Sequence, residues 1–138
     1  MADIRRVTDR FSVAPQLEIE DFETIRALGF RHLINNRPDG ETPDQPSSAE
    51  QKAAAEKLGL SYVHAPFVGQ PSQEAVEAAA KAETGTLAYC RSGTRSVTAW
   101  AIAQATRGEK AEEIIRAAAS AGYNLGGLGP ALRQLGAI

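Results

Sequence analysis

One cysteine, Cys90, stands alone in 138 residues, so no internal disulfide can form. With only two histidines, no Cys/His cluster exists from which a metal site could be built, and no metal is expected. Burial or reactivity remain as roles for the thiol. Excess charge of either sign is also missing: 15 Lys and Arg against 17 Asp and Glu leave a net charge of -2. A polyanion binder needs a basic face to release condensed counterions, so no nucleic-acid partner is expected. No run approaches the roughly 18 apolar residues that cross a bilayer, and the opening Met-Ala-Asp-Ile-Arg-Arg lacks the apolar core of a secretory signal. No membrane association and a cytoplasmic location are therefore expected. Linkers, repeats and low-complexity tracts are absent as well, and a chain of this length can bury one core without staples. Residues 1–138 are expected to form a single domain.

What is present alternates between two periods. Ile19, Phe22, Ile25 and Leu28 have helical spacing, with Glu20 and Asp21 at the positive end and Gly29 as the stop. Residues 30–35 read as a strand feeding the polar loop Asn35-Asn36-Arg37-Pro38-Asp39-Gly40-Glu41. Ser47 and Glu50 are spaced as a capping box and open an alanine-rich helix that closes at Gly59. The pattern then recurs, with a strand over 60–65 and a helix capped by Ser72, and again with a strand over 86–89 and an apolar helix over 97–106. Further helices are expected over 112–121 and 131–135, separated by a loop, and the residues leading to Phe11-Ser12-Val13 read as a small hairpin or edge strand. Strands alternating with helices require crossovers, so the expected fold is α/β, a three-layer sandwich with a mainly parallel central sheet. In such sheets ligands bind beyond the carboxyl ends of the strands, which brings together residues 35–39, 64–67 and 90–96. Gly126, Gly127 and Gly129 lack the strand-to-helix setting of a dinucleotide motif, so no cofactor is expected.

Cys90 follows an apolar strand and precedes Arg91-Ser92-Gly93-Thr94-Arg95-Ser96. A lone cysteine after a strand is commonly a packed core thiol. This one sits where three anion-stabilising devices coincide: the N–H groups of a tight turn, the positive end of a helix starting near Ser96, and the guanidinium groups of Arg91 and Arg95. Gly93 permits positive φ, and Ser92, Thr94 and Ser96 bring hydroxyls to the sulfur. The thiolate is the nucleophilic form of cysteine, so Cys90 is read as the catalytic nucleophile and Arg95 as the two-pronged ligand of an oxyanion. Asn36, Arg37 and Asp39 are candidates to line the mouth of the site, although Asn, Pro, Asp and Gly also suit any turn. His64 is either a proton donor or a hydrogen-bonded structural residue.

The run Tyr89-Cys90-Arg91-Ser92-Gly93-Thr94-Arg95-Ser96 resembles the active-site loop of rhodanese sulfurtransferases, whose cysteine carries sulfur as a persulfide. It is less similar to the signature of cysteine-dependent phosphatases, which place five residues between cysteine and arginine and a histidine before the cysteine; here there are four, and Tyr89 precedes. With Asn35-Asn36-Arg37-Pro38-Asp39-Gly40-Glu41, the chain also resembles the beta-lactamase-hydrolase-like family. That resemblance implies a cysteine-phosphatase-like fold, and members described either as phosphatases or as sulfur transferases, some fused to a metallo-hydrolase that handles persulfides. A phosphatase of this kind needs an acid for the leaving alkoxide, and residues 65–72 contain none. The expected function is therefore sulfur transfer through a Cys90 persulfide, with a small anionic sulfur-containing substrate and such a metallo-hydrolase as a partner. The alternatives are a small phosphatase acting through a phosphocysteine and a non-catalytic module that binds persulfide or anion.

Overall fold

The structure, a computed structural model, describes residues 2–138. Among the described residues five short strands, β1 (Arg5–Arg6), β2 (Phe11–Ala14), β3 (His32–Asn35), β4 (Ser61–His64) and β5 (Thr86–Tyr89), form one sheet in the order β1-β2-β5-β3-β4. Only β1 is antiparallel to its neighbour. Among the parallel strands Ala14 and Asn35 both pair with Tyr89, and His64 pairs with Asn35. Four carboxyl ends are thus level, with β5 at the centre, and the loops that follow them open on the same edge.

Among the described residues six α-helices cover the sheet: α1 (Phe22–Ala27), α2 (Ser48–Lys57), α3 (Gln73–Ala80), α4 (Thr94–Thr106), α5 (Ala111–Ser120) and α6 (Gly129–Gln134). The two-residue period of the strands sorts them into layers. Ala14, Leu33, Leu87 and Tyr89 pack with Phe22 and Ile25 of α1 and Ala55 of α2. Val13, Ile34 and Ala88 point the other way, into a cluster with Ala79 of α3, Val97 and Trp100 of α4, Ile114 of α5 and Leu132 of α6. The fold is therefore the expected three-layer α/β sandwich with a mainly parallel sheet. Among the described residues no helix is long and apolar enough to cross a membrane.

Local chemistry accounts for the boundaries. Ser47 and Ser72 cap α2 and α3, their hydroxyls accepting from the N–H groups of Glu50 and Ala75. The expected helix over 19–28 begins as a 3-10 turn, Ile19–Asp21, because the Glu18 N–H donates to the Asp21 carboxylate at 3.0 Å and tightens the entry. The opening hairpin forms, but β2 is an interior strand with all four residues buried, since it also pairs with β5. The largest shift concerns α4: it starts at Thr94, not at residue 97, because Gly93 with φ of +96° turns the chain directly into it. That places the positive helix end on the Cys90 turn itself rather than at Ser96.

Candidate active site

Tyr89 ends β5 facing α2, where its hydroxyl donates to Gln51 Oε1, and burial pushes its phenol up so that it stays neutral. The alternation of the strand then turns Cys90 toward the layer where α4 begins. Cys90 is fully buried, which taken alone would mark an inert thiol. Its sulfur nonetheless faces the turn, because the Gly93 N–H donates to Sγ at 3.1 Å. In the first turn of α4 the N–H groups of Arg95 and Ser96 have no acceptor among the described residues. The free donors of a 13-residue helix therefore open on the same turn as the sulfur. Tyr123, from the loop after α5, braces the turn from behind: its hydroxyl donates to the Ser92 carbonyl at 2.9 Å.

Arg95 is only 21% exposed in its side chain and is held by two acceptors. Glu41 takes hydrogens from Nη1 (3.0 Å) and Nη2 (2.9 Å), and the Phe67 carbonyl takes the second hydrogen of Nη1 at 3.3 Å. A guanidinium has five N–H donors, so this leaves Nε–H and the outer hydrogen of Nη2, which project side by side as a fork. Glu41 is gripped in turn by Arg37, whose Nε donates to Oε1 at 2.7 Å and whose Nη1 donates to Gln16 Oε1 at 3.0 Å. Gln16, Arg37, Glu41 and Arg95 form a chain of contacts drawn from the loops after β2 and β3 and from α4. The bonds from Arg95, and then those from Arg37, hold the Glu41 carboxyl down from 4.5 to about 2. The bond to Glu41, with a contribution from the nearby Cys90 sulfur, keeps Arg95 firmly protonated.

A folded carboxyl below its ordinary value stabilises the fold fully above about pH 4.5, and that contribution is lost as pH falls toward about 2. Glu41→Gln is expected to cost about 1–2 kcal/mol near neutrality, where Arg37 is left buried without its counter-charge. Melting curves of wild type and variant should converge through this acid window. A gap that is constant with pH would show that the Glu41 charge does not matter to the fold.

The remaining sequence candidates divide in two. Arg91, Ser92 and Thr94 lie on the turn, but Arg91 and both hydroxyl residues are exposed, and Ser92 Oγ donates to Thr94 Oγ1 at 3.1 Å instead of meeting the sulfur. Ser96 is buried and donates to Asn36 Oδ1 at 2.8 Å, while Asn36 Nδ2 donates to the Ala65 carbonyl at 3.0 Å. These two residues tie the loops after β3, β4 and β5 together; neither lines a mouth or steadies the sulfur. Arg37, expected at the mouth, is 3% exposed and serves as the anchor of Glu41. Asp39 is not a free acid, because its carboxylate takes the N–H and hydroxyl of Ser48 at 2.8 and 2.7 Å and caps α2. Those bonds hold its pKa low. His64 Nε2 lies 2.8 Å from the Arg37 carbonyl, to which it donates, so the structural role describes it.

Glu41, Gln16 and Tyr123 are the residues sequence reasoning passed over. Glu41 carried a usable signal, an acid in a polar loop opposite a turn rich in arginine. Gln16 and Tyr123 carried none, since nothing local distinguishes them.

Comparisons with known proteins agree with the fold and bear on the chemistry. Residues 3–107 match the family described as beta-lactamase hydrolase-like protein, phosphatase-like domain. A curated beta-lactamase hydrolase-like protein of Agrobacterium fabrum is 37% identical over 108 residues, covering 75% of this chain and 25% of its own length. The chain thus spans about a quarter of that relative. The crystal structure of a Neisseria meningitidis protein described as a candidate phosphatase is 34% identical, with a TM-score of 0.80 over 96% of this chain and 97% of that one. PTPMT1 shares the fold at 16% identity, with a TM-score of 0.69 over 96% and 93% of the two chains.

Proposed function

The chain belongs to the family of beta-lactamase hydrolase-like proteins, phosphatase-like domain, and from that membership and the geometry at Cys90 we propose that it is a cysteine-dependent phosphatase. This replaces sulfur transfer as the leading reading, because the matching family is described as phosphatase-like and the Neisseria meningitidis structure as a candidate phosphatase. The observation that carries it is Cys90 Sγ beneath the Gly93 N–H, on the turn that also presents the free fork of Arg95.

The fork takes two oxygens of a phosphate monoester, and the unpaired N–H groups of α4 take another. The Cys90 thiolate attacks phosphorus from the side opposite the leaving group. An S–P bond forms as the P–O bond breaks, and the electron pair departs on oxygen. Water then attacks phosphorus, the S–P bond breaks, and the thiolate returns with release of inorganic phosphate. Residues 65–72 offer no acid, and Glu41 is held ionised by its arginines, so the leaving oxygen must depart as an anion or take its proton from water. Aryl phosphates are therefore expected to turn over at least about a hundredfold faster than alkyl phosphates, the size of effect an acid ordinarily supplies. Equal rates for the two would reveal an acid in the bound state.

Incubation with 4-nitrophenyl phosphate should release nitrophenolate and, on acid quench, leave a phosphoryl group on Cys90 in the mass spectrum. A protein that neither hydrolyses this ester nor carries the adduct would end the phosphatase reading.

Sulfur transfer stands as the second reading on one specific observation: four residues, not five, separate Cys90 from Arg95. A shorter turn suits one sulfur better than a tetrahedral phosphate. In that chemistry Cys90 attacks the outer sulfur of thiosulfate, the S–S bond breaks, sulfite leaves, and an acceptor thiol or cyanide then removes the sulfur. No acid is needed. The metallo-hydrolase partner expected from the sequence belongs to this reading. The same mass spectrum separates the two, since thiosulfate would add a single sulfur to Cys90. Sulfate binding without either adduct would point to an anion-binding module.

A further inference from the structure

A path of hydrogen bonds leaves one end of the Cys90 turn and returns to the other without passing through the sulfur. The Arg91 carbonyl, at the start of the turn, accepts from the Gln16 N–H at 3.2 Å. The Gln16 side chain carries the path onward: its Nε2 donates to the Leu17 carbonyl at 2.9 Å, which fixes the amide so that Oε1 accepts from Arg37 Nη1 at 3.0 Å. Arg37 Nε continues it to Glu41 Oε1 at 2.7 Å, and both Glu41 oxygens return it to Arg95 in the first turn of α4. Arg37 is the fixed point of this ring. It is buried, its N–H donates to Asn35 Oδ1 at 3.0 Å and its carbonyl accepts from His64 Nε2 at 2.8 Å, so its backbone is held as firmly as its side chain. The loop that carries Glu41 is stapled too, since the Gln45 amide accepts from the Glu41 N–H at 3.1 Å and donates to the Pro38 carbonyl at 2.8 Å.

A free arginine side chain has many rotamers, and a guanidinium left to wander must be ordered each time an anion arrives. The ring does that ordering in advance. It occupies Nη1 and one hydrogen of Nη2, so the remaining fork of Arg95 has a single aim relative to the turn. It also keeps the site positive: Glu41 alone would cancel Arg95, and Arg37 sets two guanidinium groups against one carboxylate. We infer that Arg37 is a positioning residue that, buried away from solvent, aims the Arg95 fork through Glu41, with Gln16 tying the ring to the opposite end of the turn. The inference rests on the phosphatase reading above and names the residues that set the geometry of that site.

Arg37→Lys tests it, because the charge stays while the ammonium reaches only one of the two acceptors. On 4-nitrophenyl phosphate kcat/KM should fall about thirty- to a hundredfold, the size of effect that follows when a group is misplaced by about 1 Å. Sulfate affinity should stay within about threefold of wild type, whereas vanadate, which takes the five-coordinate shape of the transferring phosphorus, should weaken in step with kcat/KM. A residue that merely supports the fold would move the two anions alike. In a Glu41→Gln background the amide accepts from one arginine but turns its own N–H groups on the other, so the link is already broken. There Arg37→Lys should cost less than about threefold. Gln16→Ala opens the ring at its other arm without changing any charge and should lower kcat/KM about tenfold, a smaller displacement. It decides the matter should Arg37→Lys fail to fold. Wild-type kcat/KM in Gln16→Ala or in a folded Arg37→Lys, sulfate and vanadate affinities that shift together, or an Arg37→Lys effect of equal size in both backgrounds overturns the inference alone. A wild-type protein inactive on the ester overturns the phosphatase reading, and this inference with it.

Discussion

Cys90→Ser is expected to lower turnover of an aryl phosphate by at least about a thousandfold while leaving the affinity for sulfate within about twofold of wild type. The two halves have separate causes. A serine hydroxyl is far less acidic than a thiol and needs a base to become a nucleophile, and no base is placed to serve it. His64 is committed to the Arg37 carbonyl, and His32 lies at the amino end of β3, bonded to Ser61 Oγ at 2.7 Å. Anion binding, by contrast, depends on the start of α4 and the Arg95 fork, neither of which the substitution removes. Steady-state kinetics and calorimetric titration with sulfate measure both. Activity within tenfold of wild type would remove Cys90 from the mechanism, and lost sulfate affinity would show that the sulfur itself shapes the turn.

Gly93→Ala should be nearly as damaging to activity although it removes no functional group. At φ of +96° a Cβ is strained wherever it points, and here it would lie 2.0 Å from the Tyr123 hydroxyl and 2.8 Å from Cζ. Two relaxations are open. Either Tyr123 swings away and its bond to the Ser92 carbonyl is lost, or the turn opens and the Gly93 N–H leaves the sulfur. Backbone strain of about 1–3 kcal/mol, added to the clash, should lower the melting temperature by roughly 5–10 °C. Displacement of the donors by about 1 Å should cost about a hundredfold in kcat/KM. Adding Tyr123→Ala relieves the clash but not the φ, so the double variant should regain part of the stability and little of the activity. Wild-type activity in Gly93→Ala would mean that the turn does not need this conformation.

Much of the fold could be read locally. The strand over 86–89 coincides with β5, and the serine caps at Ser47 and Ser72 fall where hydroxyl spacing put them, because each depends on contacts within three or four residues. The start of α4 was misjudged because Thr94, Arg95 and Ser96 carry no apolar periodicity; the helix is begun by Gly93, and an apolar pattern cannot register that. Asn36, Arg37, Asp39 and His64 lie toward one edge of the sheet, but nothing local in the sequence says what each does there. Their tasks are set by partners that are distant in sequence, Ser96 for Asn36 and Ser48 for Asp39, or by the course of the backbone, as with His64.

The lone cysteine on its turn, the positive φ beside it and the layered alternation of helix and strand are short-range properties, and the amino-acid sequence determined them unaided. The orientation of Arg95, the bracing of the turn by Tyr123 and the ring through Gln16 and Arg37 exist only once loops from opposite ends of the chain are level at one sheet edge. Pairing between remote side chains depends on where the backbone delivers them, to within about an ångström, and no spacing along a single strand or helix contains that information.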